Sequence, residues 1–214
     1  MSADFLLRVK ADLATLRAAD PGFDVFGSAA HRYELLAPAR DDHLAAFEAA
    51  HGIALPSAYR RFLRELGNGG AGPHYGLFPL GLWDGGGQGL EPWGEYGAGV
   101  LREPFPHSTP WNLPDDRFMP PDLDDVDAEE AWQTALDAEY FDRSLVAGAF
   151  PIAHHGCAHR NLLVVTGPHR GEVWLDARAS HEGIAPEVDA QGRRRTFETW
   201  YLDWLRASLA TVSG

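Results

Sequence analysis

The chain has 214 residues, of which 45% are hydrophobic, and its 18 basic and 31 acidic residues give a formal net charge of −13. This length is sufficient for one well-buried core and short for two independent cores, so we expect a single domain over residues 1–214. The negative charge opposes binding to nucleic-acid backbones and anionic membrane surfaces, and it favours a cationic partner.

The cysteine content and the N-terminus bear on the compartment. Cys157 is the single cysteine, which excludes an intramolecular disulfide and fits a reducing environment. Charged residues interrupt the apolar positions of residues 1–20, and the longest purely aliphatic run is residues 162–165. We therefore expect neither a signal peptide nor a membrane span, and we predict a cytoplasmic location.

Apolar residues at helical spacing predict three helices in the first third of the chain. The first runs from about Ala3 to Ala19, and the second begins at Asp41 or Asp42, either of which can cap it, and continues to Gly52. The third is opened by Pro56. It presents one apolar face and ends at Gly67; that face is formed by Tyr59, Phe62, Leu63 and Leu66.

A glycine-rich turn follows the third helix. Residues 67–72 contain four glycines and are followed by Pro73 and a strand-like segment over residues 75–80; residues 33–36 predict another short strand. The spacing Gly67-x-Gly69-x-x-Gly72 formally matches a dinucleotide fingerprint. That fingerprint requires a strand before it and a helix after it, whereas the order here is reversed. We interpret the glycines as a structural turn.

The composition changes after Leu82. Residues 84–142 are rich in glycine, proline and tryptophan without steady periodicity, which predicts a loop-rich insertion with one helix from about Ala128 to Phe141. Its tryptophans argue against a disordered linker, since such linkers rarely carry them.

The last third of the chain predicts strands followed by a helix. Strands are expected over residues 150–154, 161–166 and 172–177, the last two forming a hairpin around residues 167–171. The closing helix is amphipathic, with an apolar face made of Phe197, Trp200, Tyr201, Trp204 and Leu205. Because βαβ alternation is absent, the order of elements favours an α+β fold with an antiparallel or mixed sheet flanked by helices.

One short segment carries metal-type side chains, namely His154, His155, Cys157 and His159. Strand alternation sends the first two to opposite faces, and neither an HExxH nor a paired CxxC motif is present. We therefore expect no metal or cofactor, and we interpret the segment as a strand end and turn with a small buried thiol and half-exposed histidines. A small hydrolase that uses Cys157 and a neighbouring histidine is the alternative from another class.

Residues 115–130 contain eight acidic residues against Arg117 alone, a formal charge of −7. A charge run is usually a solvated face. Aromatic residues flank this one, and aromatic anchors surrounded by charge are favoured at protein interfaces. The candidate partner-binding residues are therefore Trp111, Asp122, Asp124, Asp125, Asp127, Glu129, Glu130 and Trp132.

Four blocks of the chain resemble the SUKH superfamily, the Smi/Knr-like proteins. The most distinctive is LPxxYRRFLxxxGNGGAGPxYGLxPL over residues 55–80; the others are residues 47–56, the predicted hairpin at 163–176 and the aromatic closing helix. The blocks occur in the order typical of the superfamily, and they leave the first helix and the insertion outside the resemblance.

This resemblance implies an α+β fold without catalytic activity and, most often, neutralisation of a cognate polymorphic toxin by direct binding. Many members are bacterial immunity proteins, whereas eukaryotic members act as interaction modules. We therefore expect a protein partner, namely a cationic toxin such as a nuclease, and a regulatory or scaffold module is the first alternative. The resemblance assigns no individual contact residue, because members differ in the surface that meets the toxin.

Overall fold

The computed structural model describes residues 3–83, 89–93, 99–120 and 126–213. The helices of these residues are α1 (Ala3–Ala19), α2 (Ser28–His31), α3 (Asp41–His51), α4 (Ser57–Glu65), α5 (Val126–Tyr140) and α6 (Phe197–Ser213). The strands are β1 (Leu82–Trp83), β2 (Glu91–Pro92), β3 (Ala149–Gly156), β4 (His159–Val164), β5 (Val173–Asp176) and β6 (Ile184–Pro186). Within this part of the chain, no helix combines the length and the apolarity that crossing a membrane requires.

The main sheet is antiparallel, with the strand order β3-β4-β5-β6, and β1 pairs with β2 in a separate ribbon. Together with the helices, this confirms the predicted α+β class. The hairpin β4–β5 is also confirmed, with Leu162 opposite Trp174. The sequence reasoning missed β6 because its three residues, Ile184–Pro186, carry too weak a pattern to mark a strand.

The glycine-rich turn extends the sheet beyond β3 through single bridges. Leu77 pairs with Ala153 of β3 and with Gly70, which in turn pairs with Leu35. A Cβ atom on Gly70 would lie 2.5 Å from the carbonyl oxygen of Glu34, and the φ angle of this residue is +95°. The predicted strands at residues 33–36 and 75–80 are therefore reduced to isolated bridges, since this glycine geometry interrupts a regular ladder.

The helix α3 begins at Asp41, as predicted, but its cap differs. Arg40 occupies the N-cap position without a side-chain hydrogen bond to the helix. The carboxylate of Asp42 instead accepts hydrogen bonds from the guanidinium of Arg40, at 2.9 and 2.6 Å. At the other end, Gly52 has φ +64° and ends the helix as predicted.

One face of the sheet is covered by α1, α4 and α6, which share an aromatic core. Phe197 lies at its centre, with its ring centroid 4.9 Å from Tyr59, 5.3 Å from Phe62 and 6.4 Å from Phe5. All four side chains are buried. In α6, Trp200 and Tyr201 are also buried, whereas Trp204 is only partly buried and packs against the edge of this core.

The opposite face of the sheet is covered by residues from the predicted insertion. Phe105 packs on Trp174 of β5, at 4.9 Å between ring centroids. Trp111 exchanges two 2.8 Å backbone hydrogen bonds with Ile184 of β6. These residues form a second hydrophobic cluster together with Val146, Ala149, Leu162 and Val164.

We expect the substitution Tyr201→Phe to lower the free energy of unfolding by about 1–3 kcal/mol. The buried Tyr201 hydroxyl donates a 2.7 Å hydrogen bond to the carbonyl oxygen of Ala71, so its removal leaves a buried acceptor unpaired between α6 and the glycine-rich turn. Chemical denaturation of both proteins measures the difference. Tyr75→Phe, at an exposed tyrosine, is the control and should stay within about 0.5 kcal/mol of wild type. Equal stability of the two variants would contradict the expected role of this bond.

Candidate partner-binding surface

The helix α5 is acidic and projects most of its surface into solvent. Its fifteen residues include five acidic and no basic side chains, and only Leu136 and Tyr140 are buried. Ala128 and Trp132 are partly buried, so burial decreases along the i, i+4 stripe toward the start of the helix. The acidic face of α5 is therefore exposed, and the helix packs on the rest of the protein only through this one stripe of residues.

The predicted acidic residues divide into two groups. Asp127, Glu129 and Glu130 are exposed in the first turns of α5, where the positive end of the helix dipole favours carboxylates. The remaining three, Asp122, Asp124 and Asp125, lie outside the described residues.

The two predicted tryptophan anchors have different surroundings. Trp132 is partly buried on α5. Trp111 is held by its backbone pairing with β6, and its ring stacks near Tyr140 and His107, at 5.7 and 5.5 Å between centroids. Trp111 thus packs against the second hydrophobic cluster, and only part of its ring is accessible.

Tyr140 anchors the C-terminal end of α5, a role that the sequence did not indicate. Its hydroxyl donates to Oδ1 of Asn112 at 2.5 Å and accepts from the backbone N–H of Gly183 at 3.0 Å. Its carbonyl oxygen accepts a 3.0 Å hydrogen bond from Arg178, a buried side chain that is also paired with Asp176 at 2.7 Å. Burial raises the pKa of the Tyr140 hydroxyl. These bonds fix the acidic helix to the end of β5.

Four histidines from two segments lie close together, which we call the histidine edge: His74, His154, His155 and His159. The ring centroids of His74 and His155 are 3.7 Å apart, and those of His155 and His159 are 6.0 Å apart. His154 stacks on Tyr75 at 4.9 Å, and Nε2 of His159 lies 2.7 Å from the hydroxyl oxygen of Ser180. Sequence reasoning identified three of these residues, but it could not place His74 beside them.

Cys157 is exposed, so the predicted buried thiol is wrong. It forms the two-residue turn between β3 and β4 with Ala158, and both residues have positive φ angles, of 49° and 60°. This geometry is that of a type I′ hairpin turn, whose central residues lie at the tip of the hairpin. The thiol of Cys157 is accessible because it lies at this tip.

Two members of the histidine edge, His74 and His155, have lowered pKa values. Burial lowers the pKa of His74 to about 4, and the neighbouring His155 and His154 act in the same direction. The pKa of His155 is also lowered, chiefly by burial. The nearby core residue His31 has its pKa lowered by burial to about 4.

These shifts predict that acid destabilises the protein. The folded-state pKa values of His31 and His74 lie below the ordinary value of 6.5, so the unfolded chain binds more protons than the folded one between pH 6.5 and about 4. The contribution of these two histidines to the free energy of unfolding should be fully present above pH 6.5. It should be lost progressively as the pH falls from 6.5 to about 4. Denaturation midpoints at pH 8, 6 and 5 test this. His74→Asn should reduce the slope, since Asn tolerates the φ of +54° at this position, whereas exposed His43→Asn should not. A slope that His74→Asn leaves unchanged would contradict the assignment.

We expect folding to proceed without a metal ion. Across the described ranges, no group of three or more His, Cys, Asp or Glu side chains is arranged to hold one. A structural zinc site contributes directly to folding free energy, so a chelator would lower the melting temperature if such a site existed. Melting with and without excess chelator should give the same midpoint. A large decrease, together with stoichiometric zinc in the untreated protein, would overturn this expectation.

The comparisons with known proteins gave one match. The family model described as "SMI1 / KNR4 family (SUKH-1)" matches residues 38–191. No curated protein and no solved structure matched the chain. The matched range covers more than half of the chain, from the residues just before α3 to the loop after β6, and it agrees with the resemblance found in the sequence. The chain belongs to the SMI1/KNR4 family, SUKH-1.

Proposed function

We propose that this protein is a non-enzymatic immunity protein that neutralises a cognate protein toxin in the cytoplasm by binding and occluding it. The observation that carries the proposal is the family match over residues 38–191, because immunity proteins are common among SUKH proteins. The fold, an antiparallel sheet with both faces covered, is suited to presenting surface loops and edges to a partner.

The charge of the molecule supports a cationic toxin. The formal net charge is −13, and α5 carries five carboxylates on a mostly exposed helix. Nuclease toxins are favoured within this class because the sites that bind nucleic acid are usually basic. Carboxylates around a docking surface would accelerate encounter with such a partner and would orient it.

We further propose that residues 84–142 are an insertion within a single domain. Phe105 and Trp111 support this, because they pack against the sheet instead of forming a separate core. An insertion of this kind lets a family vary its contacts while the sheet and its helices keep their packing.

An enzymatic alternative has one specific observation in its favour. His159 and Ser180 lie within hydrogen-bond distance, at 2.7 Å, which is the spacing of a base and a nucleophile. Ser180 is exposed, however, and acyl-transfer sites depend on exclusion of water around the reacting groups. If Ser180→Ala abolished protection against the toxin without weakening the complex, this alternative would replace the binding role.

The proposal is tested with the protein product of the gene directly upstream of this chain's gene. Co-expression should relieve the toxicity of that product, and the two proteins should co-purify as a stoichiometric complex. Lack of both protection and complex formation would overturn the proposed function in favour of a regulatory or scaffold module.

The acidic helix provides a sharper prediction. The combined substitutions Asp127→Asn, Glu129→Gln and Glu130→Gln should lower the association rate with the upstream product several-fold at low salt and should flatten its salt dependence. The reason is that exposed charges act on encounter at long range, and salt screens them. Association kinetics over a salt series measure both effects.

A matched control removes the same charge elsewhere. Asp12→Asn, Asp41→Asn and Glu65→Gln remove three carboxylates from α1, α3 and α4. If this control lowers the association rate as strongly as the α5 variant, only net charge matters, and the acidic helix is not the steering surface.

A further inference from the structure

A groove with a volume of about 490 Å³ lies beside the histidine edge, and we call it the Tyr75 groove. It is bounded by Leu36, Tyr75, Leu77, Leu90 and His154. The backbone bridges between Gly70, Leu77 and Leu35 run along it, so the groove follows the point where the sheet is extended by the glycine-rich turn.

Exposed apolar side chains are concentrated around this groove. Leu36, Tyr75 and Leu90 line it and are 47%, 41% and 54% exposed. Phe26 is 63% exposed and contacts Tyr75 edge to face, at 5.4 Å between ring centroids. These are four of the ten large hydrophobic side chains that are exposed among the described residues. Such a concentration on one rim is typical of a binding surface.

Close backbone packing holds the aromatic rim in place. A Cβ atom on Gly27 would lie 2.0 Å from the carbonyl oxygen of His74, so the chain that carries Phe26 is tightly packed against the chain that carries Tyr75. The backbone N–H of Tyr75 donates a 3.2 Å hydrogen bond to the carbonyl oxygen of His154 in β3. An aromatic pair that is rigid before binding loses little conformational entropy when a partner covers it.

The groove and the acidic helix lie at the same end of the sheet. The histidine edge leads from Tyr75 to His159, which contacts Ser180. The next residue, His181, stacks on Phe118 at 4.4 Å, and Phe118 packs on Tyr140 of α5 at 5.0 Å. A series of side-chain contacts, joined by neighbouring residues of the chain, thus leads from the groove to the C-terminal end of α5.

The charges near the groove are compatible with the cationic protein toxin proposed above. Its lining includes one cation and one anion, Arg32 and Glu34, and the carboxylate of Glu34 is paired with Arg17. The groove is therefore close to neutral, while α5, whose C-terminal end lies at the same end of the sheet, carries five acidic and no basic side chains. A cationic protein with an apolar anchor residue complements both parts.

We propose that the toxin inserts an apolar or aromatic side chain into the Tyr75 groove while its basic residues face α5. This inference rests on the proposed function and specifies the surface that performs it. The aromatic rim would slow dissociation because it is desolvated in the complex, and the carboxylates of α5 would accelerate association.

The test uses purified complexes with the product of the directly upstream gene. The double variant Phe26→Ala, Tyr75→Ala removes the exposed rim, and we expect it to dissociate at least tenfold faster, with an association rate within about twofold of wild type. The control, Leu7→Ala with Val188→Ala, removes two exposed apolar side chains away from the groove and should dissociate at the wild-type rate. Thermal melting of both variants establishes that they are folded.

A second variant blocks the groove instead of truncating its rim. Leu36→Arg places a charged side chain at a half-exposed position of the wall and should also accelerate dissociation at least tenfold. If the upstream product binds wild type, and both groove variants dissociate at the wild-type rate, the groove is not the docking site although the immunity function stands. If no complex forms with wild type, the proposed function fails and the docking inference fails with it.

Discussion

Aromatic packing around Phe197 is the interaction on which the rest of the structure depends. The ring of Phe197 contacts α1 through Phe5 and α4 through Tyr59 and Phe62. Tyr59 also packs against Phe150 of β3, at 6.0 Å, so the same cluster joins the three helices to the sheet. Buried aromatic side chains of this size dominate core energetics. Because α1, α4 and α6 cover this face of the sheet, the opposite face is left to be covered by other segments, namely those of the second hydrophobic cluster.

The second face of the sheet is covered by part of the predicted insertion, residues 84–142, which also supports the acidic helix α5. Phe105 and Trp111 cover Trp174 and Ile184 of the sheet, so this region completes the core. In the helix α5, only Leu136 and Tyr140 are buried against the rest of the protein. The hydrogen bonds of the Tyr140 hydroxyl fix the C-terminal end of this helix. Most of this acidic helix can remain exposed to solvent because its buried residues and its anchoring hydrogen bonds lie in its C-terminal part.

The electrostatics of the proposed interface follow from burial. Burial lowers the pKa of His74 to about 4 and also lowers the pKa of His155, which disfavours the charged form of both imidazoles. Protonation of these two imidazoles would oppose the approach of a cationic partner. The close approach of the two rings, at 3.7 Å between centroids, acts in the same direction as burial, since each imidazolium would repel the other.

The sequence by itself determined the features that depend on neighbouring residues: the bounds of α1 and α3, the presence of the closing helix α6 and the hairpin β4–β5. Helical spacing and glycine conformation are local properties, so a single chain displays them. Only the tertiary structure decided the exposure of Cys157, the pairing of Trp111 with Ile184 and the meeting of Phe26, Tyr75 and His154. Those features depend on contacts between segments far apart in the chain, whose positions are set by the shared burial of the two sheet faces.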